Sequence, residues 1–103
     1  FQVLQHRMVD MMSDVKQSES LALVARLKLE SPDRAAAVSA AKSRIGRACR
    51  SVSQAAVQIH GGIGIADETP VSHYFRRALM IEQQFGSSDY HLDRYERLQF
   101  EAG

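Results

Sequence analysis

Gln58 and the glycine pair Gly61 and Gly62 are the residues of this sequence best suited to holding a ligand. They stand at the end of a long run of helix-forming residues. The side-chain amide of Gln58 can both donate and accept hydrogen bonds. Two glycines end a helix and also remove the side chains that would keep another molecule away from the backbone. The segment therefore predicts a close approach to the backbone, where exposed N–H groups of a glycine turn could bind an anion. The alternative is a simple helix C-cap beside a solvated glutamine.

This segment is not a nucleotide-binding loop of the strand-to-helix kind, because its glycines follow a helix. The other residues that could carry chemistry are isolated. His60 and His73 have no further ligand at metal spacing, so we predict no metal site. Arg44, Arg47 and Arg50 lie three residues apart and drift around one helix face. Such a row is typical of a solvated face or a subunit contact.

Length, charge and cysteine content exclude several classes of function. The 103 residues are enough for one small domain, and a net charge of +1 argues against a nucleic-acid partner. We expect no membrane insertion, because no apolar run approaches the ~20 residues of a membrane span. The single cysteine, Cys49, suits a buried thiol in a reducing compartment, so a cytoplasmic protein is expected. The chain starts at Phe1, inside a helical pattern, so we expect a fragment of a longer protein.

Two long helices must position the Gln58 segment. Apolar and small residues at alternating spacings of three and four predict a first helix over about residues 1–29. Ser31-Pro32-Asp33 then offers an N-cap, a proline for the first helical position and an acid for the positive end of the dipole. A second, alanine-rich helix is expected to start there and to end at Gly61.

A third helix is expected to begin near Pro70, and the segment Phe85–Asp89 breaks it. Ser87 or Ser88 can cap a shorter fourth helix. No segment alternates with period two, so the prediction is all-α: an antiparallel bundle of three long helices plus a short C-terminal helix. The third helix should bury its apolar residues, which are Val71, Tyr74, Phe75, Ala78 and Ile81.

The stretch Ala56–Gly64 resembles a turn near the C-terminus of acyl-CoA dehydrogenases. That family reads Ala-Val-Gln-x-x-Gly-Gly-x-Gly, then Glu-x-Pro, then an arginine six residues after the proline. Glu68, Pro70 and Arg76 keep this spacing. The resemblance covers Phe1 to about Tyr95. It implies that residues 1–103 are the C-terminal helical bundle domain, with an N-terminal helical domain and a middle β domain lying outside this chain.

The resemblance also implies a cofactor and a substrate. Members of the family use FAD and desaturate an acyl-CoA thioester between its α and β carbons. Gln58 and Gly62 are then expected to reach the FAD of a neighbouring subunit, and Gly86 to lie on the substrate side. The residues implied to bind the cofactor are Phe1, Gln2, Gln58, Gly61, Gly62, Ser87 and Asp89.

Phe85 is the main departure from the family pattern. The family usually has Glu-Gly-Thr nine residues after the arginine that matches Arg76, and the glutamate removes the α-proton. Phenylalanine has no proton acceptor, so no catalytic residue is assigned in this chain. Glu82 is a poor substitute, because an offset of three residues places it about 60° away around the helix.

Three hypotheses fit this loss. Subunits of the family that end in Phe-Gly-Ser/Asp-x-Asp-x-His-x-x-Arg-Tyr lack the glutamate and often work beside a base-bearing subunit; the matching residues here are Phe85, Gly86, Ser87, Asp89, His91, Arg94 and Tyr95. The partner would then be such a subunit in a hetero-oligomer, or a second copy in a homo-oligomer. Alternatively, the base lies on a preceding helix outside this chain, or the chain is a non-catalytic helical assembly module.

Overall fold

The computed structural model describes residues 2–62 and 69–102. These residues form α1 (Gln2–Leu27), α2 (Arg34–Gly62), α3 (Thr69–Gln83) and α4 (Ser88–Ala102). The described part contains no strand, so the all-α prediction is confirmed. None of its helices is long and apolar enough to cross a bilayer. The helices α3 and α4 have 15 residues each, about half the length of α1 and α2.

The helix α2 lies at the centre, and each of the other three helices packs mainly against it. All three run antiparallel to α2. For α1, Arg7 bonds Gln58 near the end of α2, whereas Asp14 bonds Arg44 further back. The helices α3 and α4 follow one another along α2, which produces an elongated unit of 51 × 26 × 21 Å.

The N-cap residue of α2 differs from the predicted one. The N–H of Ala37 donates to the carbonyl of Asp33 at 3.0 Å, so Asp33, and not Ser31, occupies the N-cap position. The Ser31 hydroxyl donates to the Asp33 carboxylate, and Lys28 Nζ lies 2.6 Å from the same carboxylate. Hydrogen bonds from Lys28 and Ser31 lower the pKa of Asp33 to about 2.

The interior of the described part is built from small and polar residues. Its fully buried apolar residues are Ala41 and Ala48. Its buried polar residues are Ser39, Ser43, Glu82, Ser88 and His91. Every buried polar side-chain atom of the described residues has a hydrogen-bond partner. The helices therefore approach closely and are joined by hydrogen bonds as much as by apolar contact.

The apolar face of α3 is less buried than the sequence predicted. Tyr74 is 76% exposed and Ile81 is 37% exposed. Tyr74 is left open because α1 and α3 flank α2 without closing over it, which leaves a groove of about 410 Å³. Ile81 lies outside this groove, in a separate surface pocket beside Arg77. Cys49 lines this groove and is half-buried, and burial raises the pKa of its thiol. The remaining groove residues are Val15, Ser18, Glu19, Ile45, Ala48, Val52, Ser53, Ala56, Val71, Tyr74, Phe75 and Ala78.

Candidate functional site

The first group of predicted site residues lies where α2 ends. Because α1 and α2 are antiparallel, the start of α1, with Gln2, is at the same end of the bundle as Gln58, Gly61 and Gly62. We call these four residues the end cluster. All four are exposed. Phe1, Gly64 and Glu68 lie outside the described residues.

Gln58 is oriented by a charged neighbour. Its Oε1 accepts a hydrogen bond of 2.6 Å from Nη1 of Arg7. A guanidinium can only donate, so the atom it contacts must be the amide oxygen. The other terminal atom of the amide is therefore the NH₂ nitrogen. It offers two hydrogen-bond donors to a molecule that approaches this end of α2.

Gly61 and Gly62 do not form the turn with exposed N–H groups that the sequence suggested. They are the last residues of α2 and have ordinary helical backbone, with no positive φ. Their N–H groups therefore belong to the helical hydrogen-bond ladder and do not form an exposed anion site. What they leave open is space, because a Cβ added to Gly61 or Gly62 would meet no described atom within 4 Å. Among the described residues, nothing lies over the last turn of α2, whose carbonyls have no partner within the helix.

The second group of site residues forms the turn between α3 and α4. Phe85 has a φ of 59° and Gly86 a φ of 101°. A Cβ on Gly86 would lie 2.6 Å from Cδ1 of Tyr90 and 2.9 Å from Nε2 of His91, so only glycine fits. The side chain of Phe85 is 92% exposed. We call Phe85, Gly86, Ser87 and Asp89 the turn cluster.

Ser87 caps α4, as one of the two predicted alternatives. Its Oγ accepts a hydrogen bond of 3.2 Å from the N–H of Tyr90. Asp89 lies in the first turn of α4, where a negative charge is favoured by the helix dipole. Ser88 is buried and has a different role, because its hydroxyl donates to Oε1 of Glu82 at 3.0 Å.

Glu82 is a structural carboxylate. It is 1% exposed and accepts from the Ser88 N–H and hydroxyl, from Nη2 of Arg50 at 3.1 Å and from the Gln83 amide. Burial raises its pKa, but the Ser88 hydrogen bonds and the charges of Arg50 and Lys42 outweigh burial, so the pKa is lowered. A buried carboxylate held ionised by four donor groups is not a substitute base, in agreement with the unfavourable helical offset.

His91 and Ser39 were missed by the sequence reasoning as site residues. Nε2 of His91 lies 2.7 Å from the carbonyl oxygen of Phe85, and its Nδ1 lies 3.1 Å from Oγ of Ser39. Nη1 of Arg94 donates to the same Oγ at 2.8 Å. The sequence pointed to His91 and Arg94 only because both belong to the C-terminal motif that begins at Phe85. The contact with Ser39 spans 52 residues.

The structure does not bring the two clusters together within one chain. The turn cluster lies opposite Gly46, because Gly46 contacts Ser88. The end cluster lies at Gly62, sixteen residues further along α2. At 1.5 Å per residue, the two are about 24 Å apart. A single small ligand cannot touch both clusters of one chain. The described residues also contain no group of three His, Cys, Asp or Glu side chains able to hold a metal ion.

The antiparallel all-α unit agrees with the helical domain that the resemblance implied. Residues 1–98 match the family described as acyl-CoA dehydrogenase, C-terminal domain. The chain therefore belongs to the acyl-CoA dehydrogenase family, whose members use FAD and form oligomers. No curated protein and no solved structure gives a significant match to the chain.

Proposed function

We propose that this chain is the C-terminal domain of an FAD-dependent acyl-CoA dehydrogenase and contributes no catalytic base. In this proposal it contacts FAD and a neighbouring subunit, and the base comes from a partner subunit. The observation that carries the proposal is the pose of Phe85. Its aromatic side chain projects from the α3–α4 turn, at the position that the resemblance assigns to the family's proton-abstracting glutamate.

The end cluster supports a role in holding the cofactor. The oriented NH₂ group of Gln58 can donate to an oxygen of the dinucleotide. The open space over Gly61 and Gly62 lets a flat or extended group lie against the last turn of α2. The carbonyls of that turn can accept from ribose hydroxyls or from the adenine amino group. When bound, FAD supplies the acceptor for the β-hydride of the thioester.

The separation of the two clusters supports an oligomeric site. If the turn cluster faces the flavin of its own subunit, the end cluster, about 24 Å away, is free to serve a neighbouring subunit. This is the arrangement that the family resemblance implies. It also explains how a chain without a base can stay in the enzyme, because it can still complete the cofactor site of its partner.

A second candidate function is a helical assembly module without catalytic duty. The observation that favours it is the apolar groove between α1 and α3, which lies open along the central helix. The two functions differ in their need for flavin. An assembly module would tolerate any change at Gln58 and Gly62 that preserves the helices.

The test of the main proposal is a dehydrogenation assay of the assembled enzyme, with each subunit mutated in turn. Replacing the partner's base glutamate by glutamine should abolish turnover, because Phe85 cannot accept a proton. Phe85→Leu in this chain is the matched control and should leave proton abstraction in place. Full activity after loss of the partner's glutamate would overturn the paired-subunit proposal and direct the search to a base on a preceding helix.

A further inference from the structure

We infer that His91 is a positioning residue that sets the direction in which the side chain at position 85 leaves the fold. The inference rests on the proposed function in one respect: the direction of residue 85 matters for catalysis only because the resemblance places the family's base at this position. The contacts involved join the backbone of Phe85, through His91, to Ser39 on the central helix.

Phe85 adopts a conformation that its own side chain does not favour. A positive φ of 59° is uncommon for a residue that carries a Cβ, and most of all for a bulky one. A side chain that is 92% exposed cannot hold this backbone in place by packing. The conformation must therefore be maintained by contacts to the Phe85 backbone. Strained residues of this kind persist where the surrounding structure over-determines them.

The contact that does so is the hydrogen bond from His91. A carbonyl can only accept, so Nε2 of His91 must carry the proton in its 2.7 Å bond to Phe85. When the imidazole carries only this proton, its Nδ1 accepts from the Ser39 hydroxyl, which lies 3.1 Å away. The Ser39 oxygen in turn accepts from Arg94 at 2.8 Å. Each of these three hydrogen bonds has one donor and one acceptor. The imidazole therefore satisfies both of its ring nitrogens in a single orientation.

The location of these groups explains why the turn is held firmly. Ser39 is fully buried on α2 and His91 is buried on α4. The backbone of Phe85, which follows α3, is thus fixed relative to the central helix. Gly86 completes the arrangement, because any side chain there would collide with the same His91 ring. The turn retains a geometry that would project a glutamate as rigidly as it projects Phe85.

The chain contains no tryptophan, so Phe85→Trp places a unique fluorophore at the position of interest. We propose to measure its time-resolved anisotropy in the 103-residue chain, alone and combined with His91→Gln or His91→Asn. Glutamine can carry an amide donor to the Phe85 carbonyl, whereas asparagine is one bond too short. His73→Asn, on the exposed face of α3, is the control for losing a histidine elsewhere.

The expected result is a fast, local depolarisation whose amplitude rises at least twofold with His91→Asn and stays near the parent value with His91→Gln and His73→Asn. Far-UV circular dichroism reports whether the helices persist. Equal amplitudes in the asparagine and glutamine variants, with helices intact, would overturn the inference. If His91→Asn unfolds the chain while His91→Gln does not, then His91 is required for the fold as a whole, and the positioning role is rejected. The readout involves neither flavin nor thioester, so its failure is distinct from failure of the proposed function.

Discussion

Gly46 on α2 and Ser88 at the start of α4 are in such close contact that a Cβ added to Gly46 would lie 2.9 Å from Cβ of Ser88. Glu82 Cγ would lie 3.3 Å from the same added atom. Ser88 is held in place by its two hydrogen bonds to Glu82, so it cannot easily move away. This contact sets how closely α4 approaches the central helix.

Gly46→Ala is therefore expected to destabilise the chain by about 1–3 kcal/mol, the usual effect of overpacking a filled interior. Gly61→Ala is the matched control on the same helix. An added Cβ there meets no described atom, so it should be neutral or stabilising by about 0.5–1 kcal/mol. Chemical denaturation of both variants measures the difference. Equal midpoints would contradict the close contact at Gly46.

Glu82→Gln is expected to destabilise the fold by about 1–3 kcal/mol at neutral pH, because the buried donors lose a charged acceptor. The pKa of Glu82 is lowered from its ordinary value of 4.5. Its ionised form thus stabilises the fold above pH 4.5, and this contribution is lost as the pH falls through the lowered pKa. The difference in unfolding free energy between the wild type and Glu82→Gln should become smaller as the pH falls below 4.5. Denaturation curves across pH 3–7 would show it, and a gap independent of pH would count against the role.

Gln58→Ala and Gly62→Val should weaken FAD retention in the assembled enzyme without unfolding α2. The first change removes the oriented amide, and the second fills the open space at the helix end. Gln54→Ala, one turn earlier on an exposed position, is the control. Flavin absorbance per protein after purification is the measurement. If both variants retain wild-type flavin, the end cluster has no part in cofactor binding.

Phe85→Glu alone is expected to restore little activity to this subunit. The turn would hold the glutamate on the same backbone as Phe85, but a productive base also needs a substrate cavity shaped around it. The measurement is turnover by an assembly whose partner subunit lacks its own glutamate. Recovery of most of the wild-type rate would show that the cavity is intact and that only the base was lost.

The chain is expected to self-associate through the apolar groove when no partner is present. Val52→Gln, in the floor of the groove, should shift the chain toward monomer in sedimentation velocity. Val57→Gln changes an exposed valine of the same helix that does not line the groove, and it should leave association unchanged. A clean wild-type monomer at high concentration would exclude the prediction.

The helices and their boundaries could be predicted because they depend on local signals. Pro70 and the serine at position 87 mark helix starts within one residue of the observed ones. The cap of α2 moved from Ser31 to Asp33, because the Ser31 hydroxyl is used to bond the Asp33 carboxylate. Local signals of this kind compete within a few residues, and sequence alone does not rank them.

The buried polar residues could not be predicted in the same way. In the sequence, Glu82 was considered only as a poor substitute base, and His91 only as one residue of a matched motif. Their roles come from partners far away in the chain, such as Arg50 and Ser39. The end cluster shows the opposite case. Its residues were identified by resemblance, but their helical backbone removes the anion site that two adjacent glycines suggested.

The position of α2 at the centre has a consequence for how the fold is lost. Each of the other helices packs mainly on α2, and α1 has no fully buried residue of its own. Helices of 15 residues are marginal by themselves in water. When α2 loses its helical order, α1, α3 and α4 lose their shared support together, so unfolding of this small domain is an all-or-none event that is governed by the order of one helix.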